Sequence, residues 1–242
     1  MDEIVDINTL FGPMPFASTD MTVDILLALM QKHSVGQACV LSTLGVLLDA
    51  MGGNGATRAA AAEHAALLPV ATFNPTTFFG DPAPLQNLRA DGFCMVRFFP
   101  CEQNWPIAFA PFSSLLEALA PTRMPVMVGV NRIGEITALQ ELLGRYPAPV
   151  VLSGVDYTLL AEAVAALQRF DHWHIETSHL LAPGCISQAV ATVGAERLLF
   201  GTGAPAYPIA AALHTLHYAG LSDSERLQIL GANAHRVLSP TG

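Results

Sequence analysis

Eight short β-rich runs recur along the chain, and stretches with apolar residues three and four apart lie between them. The runs are Glu3–Asn8, Ala38–Ser42, Leu68–Phe73, Cys94–Phe98, Val126–Val130, Val150–Ser153, His174–Thr177 and Leu198–Thr202. The helical stretches include 23–30, 115–119 and 159–164. Such alternation predicts a parallel sheet covered by helices, and eight repeats are the number that closes a barrel. The expected architecture is a single (β/α)8 barrel over residues 1–242. A doubly wound open sheet competes, but it usually has fewer strands, and no Gly-x-Gly-x-x-Gly follows the first run.

Composition narrows the partners. A net charge of -9 speaks against nucleic acid, whose phosphates are bound by Lys and Arg. No uninterrupted apolar stretch reaches the roughly 20 residues of a membrane span. Met1-Asp2-Glu3 does not resemble the basic start of a signal peptide. Cys39, Cys94, Cys101 and Cys185 are widely spaced, as expected for reduced thiols in a cytoplasmic protein. The expected partner is a small molecule, with a homo-oligomer as a further option.

Several polar residues fall near strand ends, where ligands bind in such barrels. Asp6 and Asn8 share one face of the first strand. Asp6 is a candidate base or substrate anchor, or else a buried carboxylate holding the barrel floor. Arg97 can clamp a carboxylate or phosphate bidentately, or pair with Asp6. His174-Ile175-Glu176-Thr177-Ser178-His179 is the densest titratable patch, and His179 lies nearest the rim. Histidine suits proton transfer near neutral pH, so Asp6, Arg97 and His179 form the catalytic set. Asn8, Asn131, Arg132, Asp156 and Tyr207 form the substrate-binding set, with Asp156 alternatively a helix N-cap. Met51-Gly52-Gly53-Asn54-Gly55 reads as a flexible lid or connection. Ser222-x-x-Glu225 predicts a capping box, and the following Gly231 region a break and restart of the helix.

Both ends of the chain resemble the amidohydrolase-type metal-dependent hydrolases of amidohydrolase family 2, which include amino-carboxymuconate-semialdehyde decarboxylase-like enzymes. In that family the first strand ends Asp-x-His-x-His and the last reads Phe-Gly-[Ser/Thr]-Asp-x-Pro. Here they read Asp6-Ile7-Asn8-Thr9-Leu10 and Phe200-Gly201-Thr202-Gly203-Ala204-Pro205. The tail Ile229-Leu230-Gly231-Ala232-Asn233-Ala234-His235-Arg236-Val237 is similar to the family's C-terminal helix, and Gly92–Phe98 to its fourth strand. The resemblance implies metal ligands where this chain has Asn8, Leu10, Gly129, Gly154 and Gly203. Leucine and glycine side chains donate nothing to zinc. We therefore expect no zinc or other cofactor in the usual place. The three glycines are expected to widen the central pocket, unless Leu10, Phe11, Phe98 or Phe99 refill it.

Three functions follow from the resemblance. The first is a hydrolase or related lyase acting without the usual metal on a small acidic or cyclic molecule. The second is an inactive relative that binds a small anion or serves in an assembly. The third is a hydrolase whose metal has moved to the seventh-strand histidines.

Overall fold

A computed structural model describes residues 3–15 and 20–239. Eight parallel strands form one sheet in chain order: β1 (Ile4–Phe11), β2 (Val35–Ser42), β3 (Leu67–Thr72), β4 (Met95–Phe98), β5 (Val126–Gly129), β6 (Val150–Ser153), β7 (Trp173–Glu176) and β8 (Leu198–Leu199). The backbone amides of Ile7 and Leu10 donate to Phe200 and Ala204, and that of Gly203 donates to Asn8, so the last strand returns to the first. This is the expected (β/α)8 barrel. Regular strand geometry in β8 stops at Leu199, sooner than the run to Thr202 suggests.

Side chains alternate between two cores, as strand geometry requires. Val70, Met95, Met127, Val151 and Leu199 pack together inside the barrel, with Ala234 and Val237 of the C-terminal helix α11 (Asn233–Leu238) in the same cluster. Val96, Phe98, Val126, Val128, Val150, Leu152 and Ile175 face the surrounding helices. Those helices carry apolar stripes at helical spacing. Phe112, Leu115, Leu116 and Leu119 are buried in α5 (Ala110–Leu119), and Leu160, Ala163, Ala166 and Leu167 in α7 (Leu160–Arg169). Among the described residues, no helix is long and apolar enough to cross a membrane.

The glycine-rich segment after β2 is not a lid. It forms the start of helix α3 (Ala50–Glu63), capped by Asp49, whose carboxylate accepts the amides of Met51 and Gly52. A Cβ on Gly53 would overlap the backbone of Gly45 in the short helix α2 (Thr43–Leu47), so glycine here allows close helix contact. Asn54 then ties α3 to β3 by donating to the Thr72 carbonyl at 2.9 Å and accepting its amide at 2.8 Å. Composition suggested flexibility; packing makes the segment a helix.

The C-terminal region departs from expectation in a related way. The capping box at Ser222 and Glu225 is present. The expected break is instead a π-turn over Gln228–Ala232, through which the helix continues. A Cβ on Gly231 would strike the Glu3 carbonyl, so the wide turn presses against the start of β1. Asn233 is buried and donates to the carbonyls of Ala195 and Leu198, satisfying the backbone that enters β8.

Candidate active site

The barrel mouth holds a cavity of about 490 Å³. Its walls include Leu10, Val46 and Phe99 on the apolar side, and Asn8, Arg97, Glu102, His179 and Tyr207 on the polar side. Inward-facing positions of β1, β4, β6 and β7 bring a polar network to its base. Arg97 Nη1 donates to Asn8 Oδ1 at 2.6 Å. Asn8 Nδ2 donates, at longer range, to Ser153 Oγ and Ser178 Oγ at 3.4 and 3.3 Å. Both hydroxyls donate to Glu176 Oε1, at 2.9 and 2.8 Å.

Glu176 is fully buried and also accepts the amides of Ser178 and Gly154. Such a carboxylate requires several donors to offset its lost hydration. Gly201 completes the fit, because a Cβ there would overlap Glu176 Oε2. Arg97 is half-buried, and its guanidinium lies over the Phe99 ring at 4.5 Å from the centroid. Burial pulls the Arg97 pKa below its ordinary value, while the charges of Glu176, Glu102 and Asp6 push it back up. Its Nε is buried and has no hydrogen-bond partner among the described residues.

His179 stands at the rim between two hydroxyls. Its Nδ1 lies 2.9 Å from Ser178 Oγ, and its Nε2 lies 3.3 Å from the Tyr207 hydroxyl. The His179 and Tyr207 rings meet edge to face, 5.1 Å between centroids. Gly203 permits this approach: it has φ +70°, and a Cβ there would sit 3.0 Å from the Tyr207 ring.

The remaining sequence candidates are distributed elsewhere. Asp6 is fully buried and does not line the cavity. Its Oδ1 accepts the amides of Asn8 and Thr202, and its Oδ2 accepts the Thr202 hydroxyl at 2.6 Å, which ties β1 to the segment after β8. Burial raises its pKa to about 7 against the lowering effect of these bonds. Asn131 and Arg132 line a separate cavity of about 450 Å³, beside Cys101 and Trp105. Asp156 caps the turn before α7, accepting the Thr158 amide and hydroxyl and the Leu159 amide, and these bonds hold its pKa below the usual range. His174 is buried with Nδ1 unpartnered among the described residues, and burial lowers its pKa to about 4. Thus Asn8, Arg97, His179 and Tyr207 are brought together, whereas Asp6, Asn131, Arg132 and Asp156 are not on the same wall.

One expectation about the pocket changes. The pocket is open, but Gly129 and Gly154 do not widen it. A Cβ at Gly154 would run into the Val130 carbonyl, and one at Gly129 would meet the Phe98 carbonyl at 3.6 Å. Of the three glycines only Gly203 lines the cavity, with Tyr207 close against it. Glu102, Ser153, Glu176 and Ser178 are the polar site residues that the sequence candidates lack. Glu176 had a signal, since strand alternation puts it on one face with Ser178. Ser153 had none beyond its place at a strand end.

The amidohydrolase family profile matches residues 47–239. The chain belongs to the amidohydrolase family. The match begins after β1, so Asn8 and Leu10 fall outside it. No curated protein matches the chain. Among solved structures, it resembles 2,6-dihydroxybenzoate decarboxylase from Rhizobium at 15% identity and a TM-score of 0.76, over 98% of this chain and 99% of that one. A candidate 2-pyrone-4,6-dicarboxylic acid hydrolase from Pseudomonas putida is similar at 17% identity and a TM-score of 0.78, over 98% of both chains. A dihydroxybenzoic acid decarboxylase from Polaromonas, with bound manganese and 2-nitroresorcinol, aligns at 14% identity and a TM-score of 0.76, over 98% of this chain and 97% of that one. At these identities the likeness is one of fold.

Proposed function

We propose that this amidohydrolase is a hydrolase or related lyase whose barrel-mouth cavity takes a small acidic, cyclic molecule, with Arg97 rather than a metal meeting the anion. The contact between Arg97 and Asn8 Oδ1 carries this reading. At the position where the family resemblance implies a histidine ligand, the only side-chain acceptor is engaged by a guanidinium. Leu10 and the glycines at the other implied positions bring no side-chain donor to a metal. Among the described residues, no three His, Cys, Asp or Glu side chains converge to hold one. The residues present do not fit the family's metal at this position.

Each side chain then has a defined role. The guanidinium retains donors beyond the one given to Asn8, and a carboxylate is its natural bidentate partner. The apolar walls of Leu10, Val46 and Phe99 suit a flat hydrocarbon ring. His179 and Tyr207 face the ligand as proton-transfer groups. The named substrates of the structural neighbours, dihydroxybenzoate and a pyrone dicarboxylate, belong to the same chemical class.

Calorimetric titration of the purified protein with benzoate and with a benzene dicarboxylate tests this reading, each with and without chelator. Binding is expected to be insensitive to the chelator and about 10- to 150-fold weaker in Arg97→Met, the range for a hydrogen bond to a charged group. Binding that disappears on chelation sinks the metal-free reading. Equal binding by Arg97→Met removes arginine from the anion site.

A further inference from the structure

We propose that Ser178 and Glu176 hold His179 as its Nδ1–H tautomer, so that Nε2, with the Tyr207 hydroxyl, accepts a proton from a cavity ligand. This rests on the reading of the cavity as a ligand site. It adds two positioning residues that do not themselves line the cavity.

Two groups in the network have hydrogen-bonding roles that cannot change. A guanidinium only donates, and a carboxylate only accepts. Arg97 therefore fixes Asn8 with Oδ1 toward it and the amide NH2 toward the serines. Each serine oxygen receives an Asn8 N–H, and each hydroxyl proton turns to Glu176 Oε1. The Ser178 hydroxyl has one proton, and the carboxylate at 2.8 Å takes it by a charge-assisted bond. Nothing is then left on Ser178 Oγ to donate to His179 Nδ1, 2.9 Å away. Nδ1 must carry the proton and donate it to Ser178. In the neutral ring Nε2 is consequently bare, and the Tyr207 hydroxyl donates to it.

Every proton in this branch points inward, from Tyr207 to His179, to Ser178, to Glu176. The Tyr207 oxygen keeps its lone pairs for the cavity it lines. A ligand hydroxyl, or a water attacking the ligand, can give its proton to that oxygen while the Tyr207 proton passes to Nε2. The products are an imidazolium and an oxyanion, and the guanidinium of Arg97 lines the same cavity. The opposite tautomer would present an N–H where this step needs a lone pair. Selecting the tautomer is therefore the task assigned to Ser178 and Glu176.

Nitrogen NMR of ligand-free protein labelled in its histidines reads the tautomer directly, with the His179 signals identified by their loss in His179→Gln. At alkaline pH the native protein is expected to show a protonated Nδ1 and a bare Nε2. Ser178→Ala removes the acceptor and is expected to shift His179 toward the Nε2–H form. Glu176→Met removes the carboxylate acceptor, frees the Ser178 proton to turn toward Nδ1 and is expected to shift it the same way; if that variant does not fold, Ser178→Ala decides. An Nε2–H ring in the native protein, or an unchanged tautomer in folded Ser178→Ala, overturns the proposal. No ligand is present in this experiment, so its failure leaves the Arg97 anion site standing, and the failure of that site leaves the tautomer result standing.

Discussion

Arg97 and Glu176 terminate one hydrogen-bonded path across the base of the barrel mouth, the guanidinium on Asn8 Oδ1 at 2.6 Å and the carboxylate beneath Ser178 Oγ at 2.8 Å. Asn8 and two serines separate the opposite charges. The path has a single direction, because its ends can play only one role each.

Cutting the path at its middle is expected to be costly. Asn8→Leu keeps similar bulk but leaves Arg97 Nη1 without this acceptor and both serine oxygens without this donor. The folded state is expected to lose about 1–3 kcal/mol, the penalty for buried polar groups left unmade. Urea unfolding checks this: the midpoint falls while the slope stays constant.

Two buried groups give opposing pH dependences. Asp6 has a folded pKa of about 7, above its ordinary 3.8. The stability it contributes is fully present below about 4 and is lost as pH rises through about 7. His174 has a folded pKa of about 4, below its ordinary 6.5. Its contribution is present above 6.5 and is lost as pH falls through about 4. Each spans on the order of 3–4 kcal/mol at most. The stability difference between native protein and Asp6→Asn is thus expected to move in the variant's favour from pH 4 to 7, measured by urea unfolding at stepped pH. His174→Gln is expected to give the reverse trend, gaining on the native protein as pH falls.

Gly201 tests the fit around Glu176. In Gly201→Ala the new methyl meets a carboxylate held by two hydroxyls and two amides, with the Asn8 Cβ 3.0 Å away on another side. Neither neighbour is a free side-chain end. A loss of about 1–3 kcal/mol is expected, as for an overpacked core. A denaturation midpoint equal to the parent's would show that the cradle has slack.

Asn54 anchors the wall helix to the sheet. Asn54→Leu removes both of its bonds to the Thr72 backbone and leaves that amide and carbonyl without them. A loss of about 1–3 kcal/mol is expected. Hydrogen exchange at the Thr72 amide should quicken in the variant; unchanged protection would mean that another group replaces the asparagine.

The barrel was legible because its signal repeats: eight periodic runs and a distinctive tail around Asn233 agree with one another. Arg97, Asn8, His179 and Tyr207 were legible because strand ends and the residues after them collect at one face. Asn131, Arg132 and Asp156 met the same criterion yet face elsewhere. Their loops turn away, Asp156 into its own cap and Asn131 toward Cys101. The helix through Gly52–Gly55 was misread because glycine count alone does not distinguish freedom from close contact. Only the position of Gly45 against Gly53 makes that distinction, and it depends on tertiary packing.

That backbone contact has a consequence for selectivity. Thr43, Val46 and Leu47 of α2 form one side of the cavity, and α2 is backed by α3, which Asn54 bolts to β3. This side of the mouth behaves as a mould and not as a flap. Substituting Val46 or Leu47 should therefore alter which outlines are admitted while leaving the rate of entry to other parts of the rim.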